Sequence, residues 1–397
     1  MKKSLLALAA LAAAGAASAQ SSVTLYGVAD ISGGYKETNV NIGGPTKFVN
    51  GKTKTTGANV ANLGDSRIGL KGSEDLGNGL KAVFNYEWQM DGAHGAINSG
   101  SKGYNNWSNG AAREAFVGLE GGFGQVRVGT TDSPVRNLAI AGTADAASDF
   151  DTTYLPALVN RVSGIHYFGN FSGVGVQAFA GYSKDSSDAY KTTTFDPATG
   201  SATGSEVVDG GTTYKGYGLG LSYANGPLLV GAAVQQFKNS GTTTTTSFDA
   251  NGQQIGNPSV ADAQGKKTEA VVGGAYDFGV AKLFANYVYG KVSDKGNAYS
   301  ADMAGTGFSG FQKVQEFNLG VTVPYGAASF VAEYGYNRYN VAANNEKATG
   351  NDFMVGANYA FSKRTDVYVR AAQLNDLKDG DNKAWTRVYA AGIRHKF

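Results

Sequence analysis

The chain has 397 residues, with 34 basic against 32 acidic, no cysteine, and 57 glycines, 22 tyrosines and 20 phenylalanines against only 7 prolines. The lack of cysteine excludes structural disulfides, thiolate metal sites and cysteine nucleophiles. The near-balance of charge argues against a nucleic-acid partner.

The chain opens on the basic Met1-Lys2-Lys3, runs through Leu- and Ala-rich sequence from Leu5 to Ala14, and reaches Ala17-Ser18-Ala19 before Gln20. A basic start, a short apolar stretch and an A-x-A site predict a secretory signal peptide over 1–19, too short to span a membrane as a helix. The functional domain is then 20–397, and cleavage removes Lys2 and Lys3, which levels the basic residues with the 32 acidic ones. Beyond Gln20 no apolar run approaches the ~20 residues of a membrane-spanning helix.

Apolar and polar residues alternate through much of the remaining chain. Tyr217, Leu219, Leu221 and Tyr223 oppose Gly218, Gly220 and Ser222, while Leu283, Ala285, Tyr287 and Tyr289 oppose Lys282 and Asn286. Phe317, Leu319, Val321 and Val323 oppose Glu316, Asn318, Gly320 and Thr322. Phe330, Ala332, Tyr334 and Tyr336 oppose Glu333, Gly335 and Asn337, and Phe353, Val355, Ala357, Tyr359 and Phe361 oppose Gly356, Asn358 and Ala360. Side chains of a strand point to opposite faces with period two, so each of these is a strand with one apolar face.

The linkers alternate between short turns, such as Glu74–Gly79, Gly121–Gly124, Asn170–Gly173, Asn225–Pro227, Tyr325–Ala327 and Ser362–Thr365, and long polar stretches. The long ones lie near Lys36–Asn62, Asp91–Ala111, Thr131–Asn160, Asp185–Thr213, Asn239–Lys267, Val292–Lys313, Val341–Asn351 and Asn375–Ala384. Short turns at one end and long loops at the other predict an all-β, transmembrane antiparallel barrel of about 16 strands. A water-filled barrel also explains the mean hydropathy of −0.24, because only every second residue meets lipid. The run Thr242–Thr246 reads as a loop tip. The last strand puts Tyr389, Ala391, Ile393, His395 and Phe397 on one face and Val388, Ala390, Gly392, Arg394 and Lys396 on the other, as expected of a strand that closes a barrel on its first.

Several stretches resemble the general porins of Gram-negative outer membranes, especially those of β-proteobacteria. They are Ser22–Asp30, Ser66–Ala82, Arg113–Leu119 with Gly122–Gly124, Ser362–Thr365 and Gly392–Phe397, in family order. The resemblance implies a sixteen-stranded homotrimer in the outer membrane with one aqueous pore per subunit, without cofactor, surrounded by lipid and lipopolysaccharide. It implies that the third long loop, Thr131–Asn160, folds into the lumen, and that Phe397 is read by the outer-membrane assembly machinery.

Charges at the narrowest point set selectivity in a wide pore. Arg67 and Lys71 oppose Ile68 and Leu70, and Arg127 opposes Val126 and Val128, so alternation points all three into water. Arg113 shares parity with Ala115, Val117 and Leu119; only the resemblance puts it in the lumen, and the same holds for Arg161 in a basic ladder. Asp145, Asp149 and Asp151 are the acidic candidates on the loop. The chain departs from the family at Gly129-Thr130 and at His166-Tyr-Phe-Gly-Asn170, losing fixed cations. His166 then offers a titratable one and predicts an anion preference rising below about pH 6. No G-x-S-x-G or H-E-x-x-H motif suggests an enzyme. The expected function is passive diffusion of small hydrophilic solutes and ions with weak anion preference. The alternative is a channel specific for a small carboxylate or sugar.

Overall fold

The structure, a computed structural model, describes residues 22–43, 48–64, 66–90, 112–144, 148–150, 161–195, 202–293, 311–341, 347–379 and 382–397. The signal peptide expected over 1–19 lies outside them. In chain order the strands are β1 (Ser22–Gly43), β2 (Phe48–Ala58), β3 (Arg67–Gly77), β4 (Leu80–Gln89), β5 (Ala112–Gly121), β6 (Gly124–Asp132), β7 (Arg161–Phe171), β8 (Val174–Phe195) and β9 (Ala202–Asn225). They continue with β10 (Leu228–Asp249), β11 (Gln254–Asp277), β12 (Lys282–Ser293), β13 (Phe311–Tyr325), β14 (Ala328–Val341), β15 (Lys347–Ala360), β16 (Thr365–Asp379) and β17 (Asn382–Lys396). One helix, α1 (Pro134–Ala141), follows β6.

These strands form a closed antiparallel barrel of 16 positions. The seventeenth strand adds no position, because β2 and β3 share one. Gly33–Gly43 of β1 pairs with β2, and Ser22–Val28 pairs with Ser73–Arg67 of β3. The seam is β1 against β17, from Val28–Lys396 to Asn41–Lys383. Gly27 and Phe397 finish it with two reciprocal backbone hydrogen bonds of 3.1 Å each. The Phe397 ring lies where a Gly27 side chain would be, so a ring is stacked on bare backbone at the closing point.

The expected alternation holds around the wall. Leu25, Val117, Val128, Leu219, Leu319 and Phe353 are exposed, and their alternate neighbours face the interior. Asp30, Gln235, Glu269, Glu316, Asn318 and Asn337 on that inner side are buried. A wall with apolar side chains outside and carboxylates and amides inside suits lipid outside and water or polar packing inside. Turn chemistry sets the short connections. Asn78 and Gly79 both have positive φ, 53° and 77°, and Ser172 and Gly173 repeat this at 52° and 86°. Two-residue hairpins need that conformation because it matches the strand twist.

Several of the long linkers are different from the sequence expectation. Strands β8 and β10 run for 22 residues and β9 and β11 for 24. A tilted membrane strand needs only about 9–11. The polar stretches Asp185–Thr213 and Asn239–Lys267 are therefore largely hairpin extensions of the barrel. Thr242–Thr246 is no loop tip: it lies within β10, opposite Gly211–Val207 of β9, and Thr242–Thr245 also face Asp262–Ser259 of β11. Outside lipid a strand loses its one-sided apolar pattern, while β-branched threonine still favours extended backbone.

After β6 the chain turns at Ser133. Its hydroxyl accepts from the Arg136 N–H at 3.2 Å and caps α1, with Pro134 in the first turn. Leu138 and Ala139 pack with Ala233, Val271 and Val288. Each of these three alternates with an outward residue: Val234, Val272 and Tyr287 are exposed.

Candidate functional site

The expected basic residues gather on β3 to β7. Arg67 Nε lies 3.5 Å from Glu87 Oε2, and Arg113 Nε lies 2.6 Å from Glu87 Oε1. The Tyr26 hydroxyl donates to the same Glu87 carboxylate at 3.0 Å and to Asn85 Oδ1 at 2.9 Å. Tyr26 can lie flat here because its ring fills the space that a side chain on Gly69 would take. The Lys71 ammonium sits 5.1 Å from the centre of the Tyr26 ring. Alternation thus brings Arg67, Lys71, Tyr26 and Glu87 to one interior patch.

Arg113 reaches this patch by an irregularity. Trp88 pairs with Ala112 and Glu87 with Glu114, which leaves Arg113 as an extra residue in β5. Such a bulge re-aims one side chain without disturbing the alternation on either side. Arg113 and Glu114 can then serve the same face although they are sequence neighbours. Glu114 accepts from Asn85 Nδ2 at 2.7 Å and from Thr131 Oγ1 at 3.3 Å.

Arg127 is clamped between rings. Its guanidinium carbon is 4.2 Å from the Phe116 centroid and 4.0 Å from that of Phe168, and its Nε donates to Gln125 Oε1. The row continues in near-parallel steps: Phe168 to His166 at 6.4 Å, His166 to Phe179 at 5.8 Å and Phe179 to Phe237 at 5.8 Å. His166 is 0% exposed, and its Nε2 lies 3.1 Å from the Val162 carbonyl. The sequence expectation of a titratable pore-lining charge at His166 is corrected: the imidazole is packed among aromatic rings, away from water. The inward aromatics Phe179 and Tyr368 are both buried.

Arg161 does not stand free in the pore. It and Arg136 both bind Asp132 Oδ1, at 3.2 and 3.0 Å, where β6 turns into α1. Of the three acidic loop candidates, Asp145 and Asp151 lie outside the described residues. Asp149 is exposed, and its carboxylate accepts from the Asn62 N–H at 2.8 Å while its own N–H donates to the Asn62 carbonyl at 3.0 Å. Its visible role is to tie Ser148–Phe150 to the connection between β2 and β3.

The partners of the arginines were the residues that sequence reasoning missed. Glu87, Glu114, Asp132 and Arg136 carry as much of the patch as the named cations. The signal for Glu87 was available, since it alternates with Tyr86 and Trp88. The Asp132–Arg136 spacing of four also suits a turn. Asn286 went unnoticed too: its Nδ2 donates to the carbonyls of Ala139 and Gly142, each at 3.2 Å, and to Thr143 Oγ1 at 2.9 Å. Glu333 Oε1 accepts from the Ala144 N–H at 2.7 Å, and Phe150, fully buried, packs with Met354, Tyr368, Val388 and Ala390.

Comparison with known proteins agrees with this geometry. The Gram-negative porin family matches residues 5–379. The major outer membrane protein P.IB of Neisseria gonorrhoeae is 30% identical over 402 residues, covering 100% of both chains. An outer membrane porin protein of Bordetella pertussis is 28% identical over 425 residues, again covering 100% of both. Among solved structures, the anion-selective porin from Comamonas acidovorans superposes with a TM-score of 0.59 at 22% identity, covering 95% of this chain and 100% of that one. With its closed barrel, lipid-facing band and charged interior, the chain belongs to the Gram-negative porin family, as a diffusion channel of the outer membrane.

Proposed function

We propose that this porin is a non-enzymatic homotrimeric channel with weak anion preference, narrowed by the segment that follows β6. The observation that carries the preference is the composition of the patch. Arg67, Lys71, Arg113, Arg127, Arg136 and Arg161 outnumber Glu87, Glu114, Glu120 and Asp132 there. Because each carboxylate is already bonded to or beside a cation, the patch presents a residual positive field rather than isolated charges. Two unit charges ~5 Å apart interact by only ~0.8 kcal/mol in bulk water, so such a field biases ions several-fold and does not trap them.

The narrowing is supported by the contacts of residues 133–144 and 148–150. They meet Ala233, Val271, Val288, Asn286, Glu333, Met354 and Val388 in turn, all on strand faces opposite the exposed apolar band. Contacts to β10 through β17 on that face, from a segment rooted in β6, support a path across the lumen. The Comamonas relative named as anion-selective supports the same sign of preference. Trimer formation, contact with lipid and lipopolysaccharide, a signal peptide over 1–19, and recognition of Phe397 by the assembly machinery belong to the same proposal by resemblance to general porins.

The test is the current through purified protein in a planar bilayer under a KCl gradient. Conductance in steps of three with a reversal potential of the anion-preferring sign is expected. A cation-preferring sign would overturn the selectivity, and folded protein without conductance would overturn the open channel.

A further inference from the structure

A cleft of about 430 Å³ lies between α1 and the inner ends of β5 to β10, on the side of the short turns. Glu120, Gln125, Asn137, Phe168, Asn170 and Gln177 line it, beside the bare backbone of Gly124, Gly169, Gly175 and Gly220. Its size falls within the ~300–1,000 Å³ of ordinary small-molecule sites.

Three of the cleft's amides, Gln125, Asn137 and Gln177, are held in place. Gln125 Nε2 donates to Glu120 Oε2 at 2.7 Å, and its Oε1 accepts from Arg127. Asn137 Nδ2 donates to Gln177 Oε1 at 2.9 Å, and Gln177 Nε2 donates to the Asp132 carbonyl at 2.8 Å. A side-chain amide has two N–H donors and a carbonyl with two lone pairs, so each still has donor and acceptor capacity after these bonds. Groups already fixed in orientation lose little entropy when a solute binds.

The charge of the cleft selects the class of solute. Its ionised group is the Glu120 carboxylate. The nearest guanidinium, that of Arg127, is sandwiched between Phe116 and Phe168. A carboxylate solute would therefore meet a like charge. A sugar hydroxyl donates and accepts at once, which matches amide side chains.

We propose that this cleft is a subsite for neutral polyhydroxylated solutes of the saccharide class, met on the short-turn side of α1. The inference rests on the open-channel reading above. Maltotriose, added to ion-conducting trimers in a planar bilayer, is the probe. It should interrupt the current in a saturable way, beyond the loss of bulk conductivity that the sugar causes. Gln125→Ala and Asn170→Ala together should raise the half-blocking concentration by about tenfold, as expected for a few hydrogen bonds of modest net strength each. Asn170→Ala alone, at an exposed strand end, should give a smaller shift in protein that folds and conducts normally.

Saturable block that the variants do not weaken would place the sugar elsewhere and overturn the subsite. So would a current that falls only with bulk conductivity. Stronger block by glucuronate than by maltotriose would overturn the neutral class. Absence of any ion current would refute the channel itself and the subsite with it.

Discussion

Replacing Glu87 by glutamine tests the charge balance of the patch directly. Glu87 is the hub of Arg67, Arg113 and Tyr26, at 3.5, 2.6 and 3.0 Å. Glutamine keeps its volume and can still accept from Tyr26, but it removes one negative charge. For an ion passing ~6 Å away, one unit charge is worth ~0.7 kcal/mol in bulk water. Screening over a Debye length of about 10 Å at 0.1 M salt cuts this roughly in half. The change favours each anion about twofold and disfavours each cation about twofold, so the anion-to-cation permeability ratio should rise about fourfold. A lower effective dielectric in the confined lumen makes that a lower bound. The assay is the reversal potential of Glu87→Gln against wild type in a KCl gradient at low salt. Glu87→Asp, which keeps the charge, should leave the ratio near its starting value. An unchanged or smaller anion preference in Glu87→Gln would refute the reasoning, because it would mean that ions do not pass near this patch.

His166→Gln should leave the pH dependence of ion selectivity as in wild type, since the ring is packed between Phe168 and Phe179; a lost pH response, measured by reversal potentials across pH 5 to 7, would return His166 to the pore. Asn286→Ala removes the donor to Ala139, Gly142 and Thr143. The Ala139 carbonyl keeps Thr143 Oγ1 and the Gly142 N–H, but the Gly142 carbonyl loses this donor, at a cost of ~1–3 kcal/mol if it goes unpaired, so the open-channel current should become noisier and show brief closures, and an equally quiet current would count against a tethered segment. Phe397→Ala strips the ring from Gly27 while keeping the backbone bonds of the seam. With the ring about half exposed, the loss is ~1–2 kcal/mol; trimers should dissociate at a lower temperature in a gel-shift assay, and an unchanged transition would remove the ring from the account of closure.

Much of the barrel was legible because lipid imposes a rule on every second residue. Leu319, Phe330 and Val355 could be placed outside from alternation, and Glu316, Glu333 and Asn337 inside. Asn78-Gly79 announced its turn by chemistry. The rule stops where the lipid stops. Thr242–Thr246 looked like a loop because a strand in water on both sides has no apolar face to betray it. The site was half legible for a related reason. Arg67, Lys71 and Arg127 obeyed parity, but which carboxylate meets which arginine depends on strand register, and no local pattern encodes register across strands separated by long polar stretches. Asp132, Arg136 and Asn286 act through the packing of α1 against distant strands, a contact with no trace in local periodicity.

The bulge at Arg113 shows how the two demands are reconciled. A lipid-facing wall forbids neighbouring residues from sharing the interior, because one of any two must meet hydrocarbon, where a cation costs ~2–4 kcal/mol at the midplane. Selectivity asks for the opposite, a dense mixture of charges at one level of the pore. Inserting one residue opposite the Glu87–Trp88 step lets Arg113 and Glu114 both turn inward while Ala115, Val117 and Leu119 resume the outer register. The inserted cation arrives beside Glu87, while Glu114, inward by plain alternation with Phe116 and Gly118, meets Asn85 and Thr131, so the bulge itself adds one cation to the interior. The sign of the field is then left to the carboxylates that the wall supplies by plain alternation. Arginines are abundant and mutually repulsive here, and each acid removed exposes one of them to the permeating ion. Under the proposed channel, losing Glu87, Glu114 or Asp132 should therefore raise the anion preference, and losing one arginine should lower it by a similar factor.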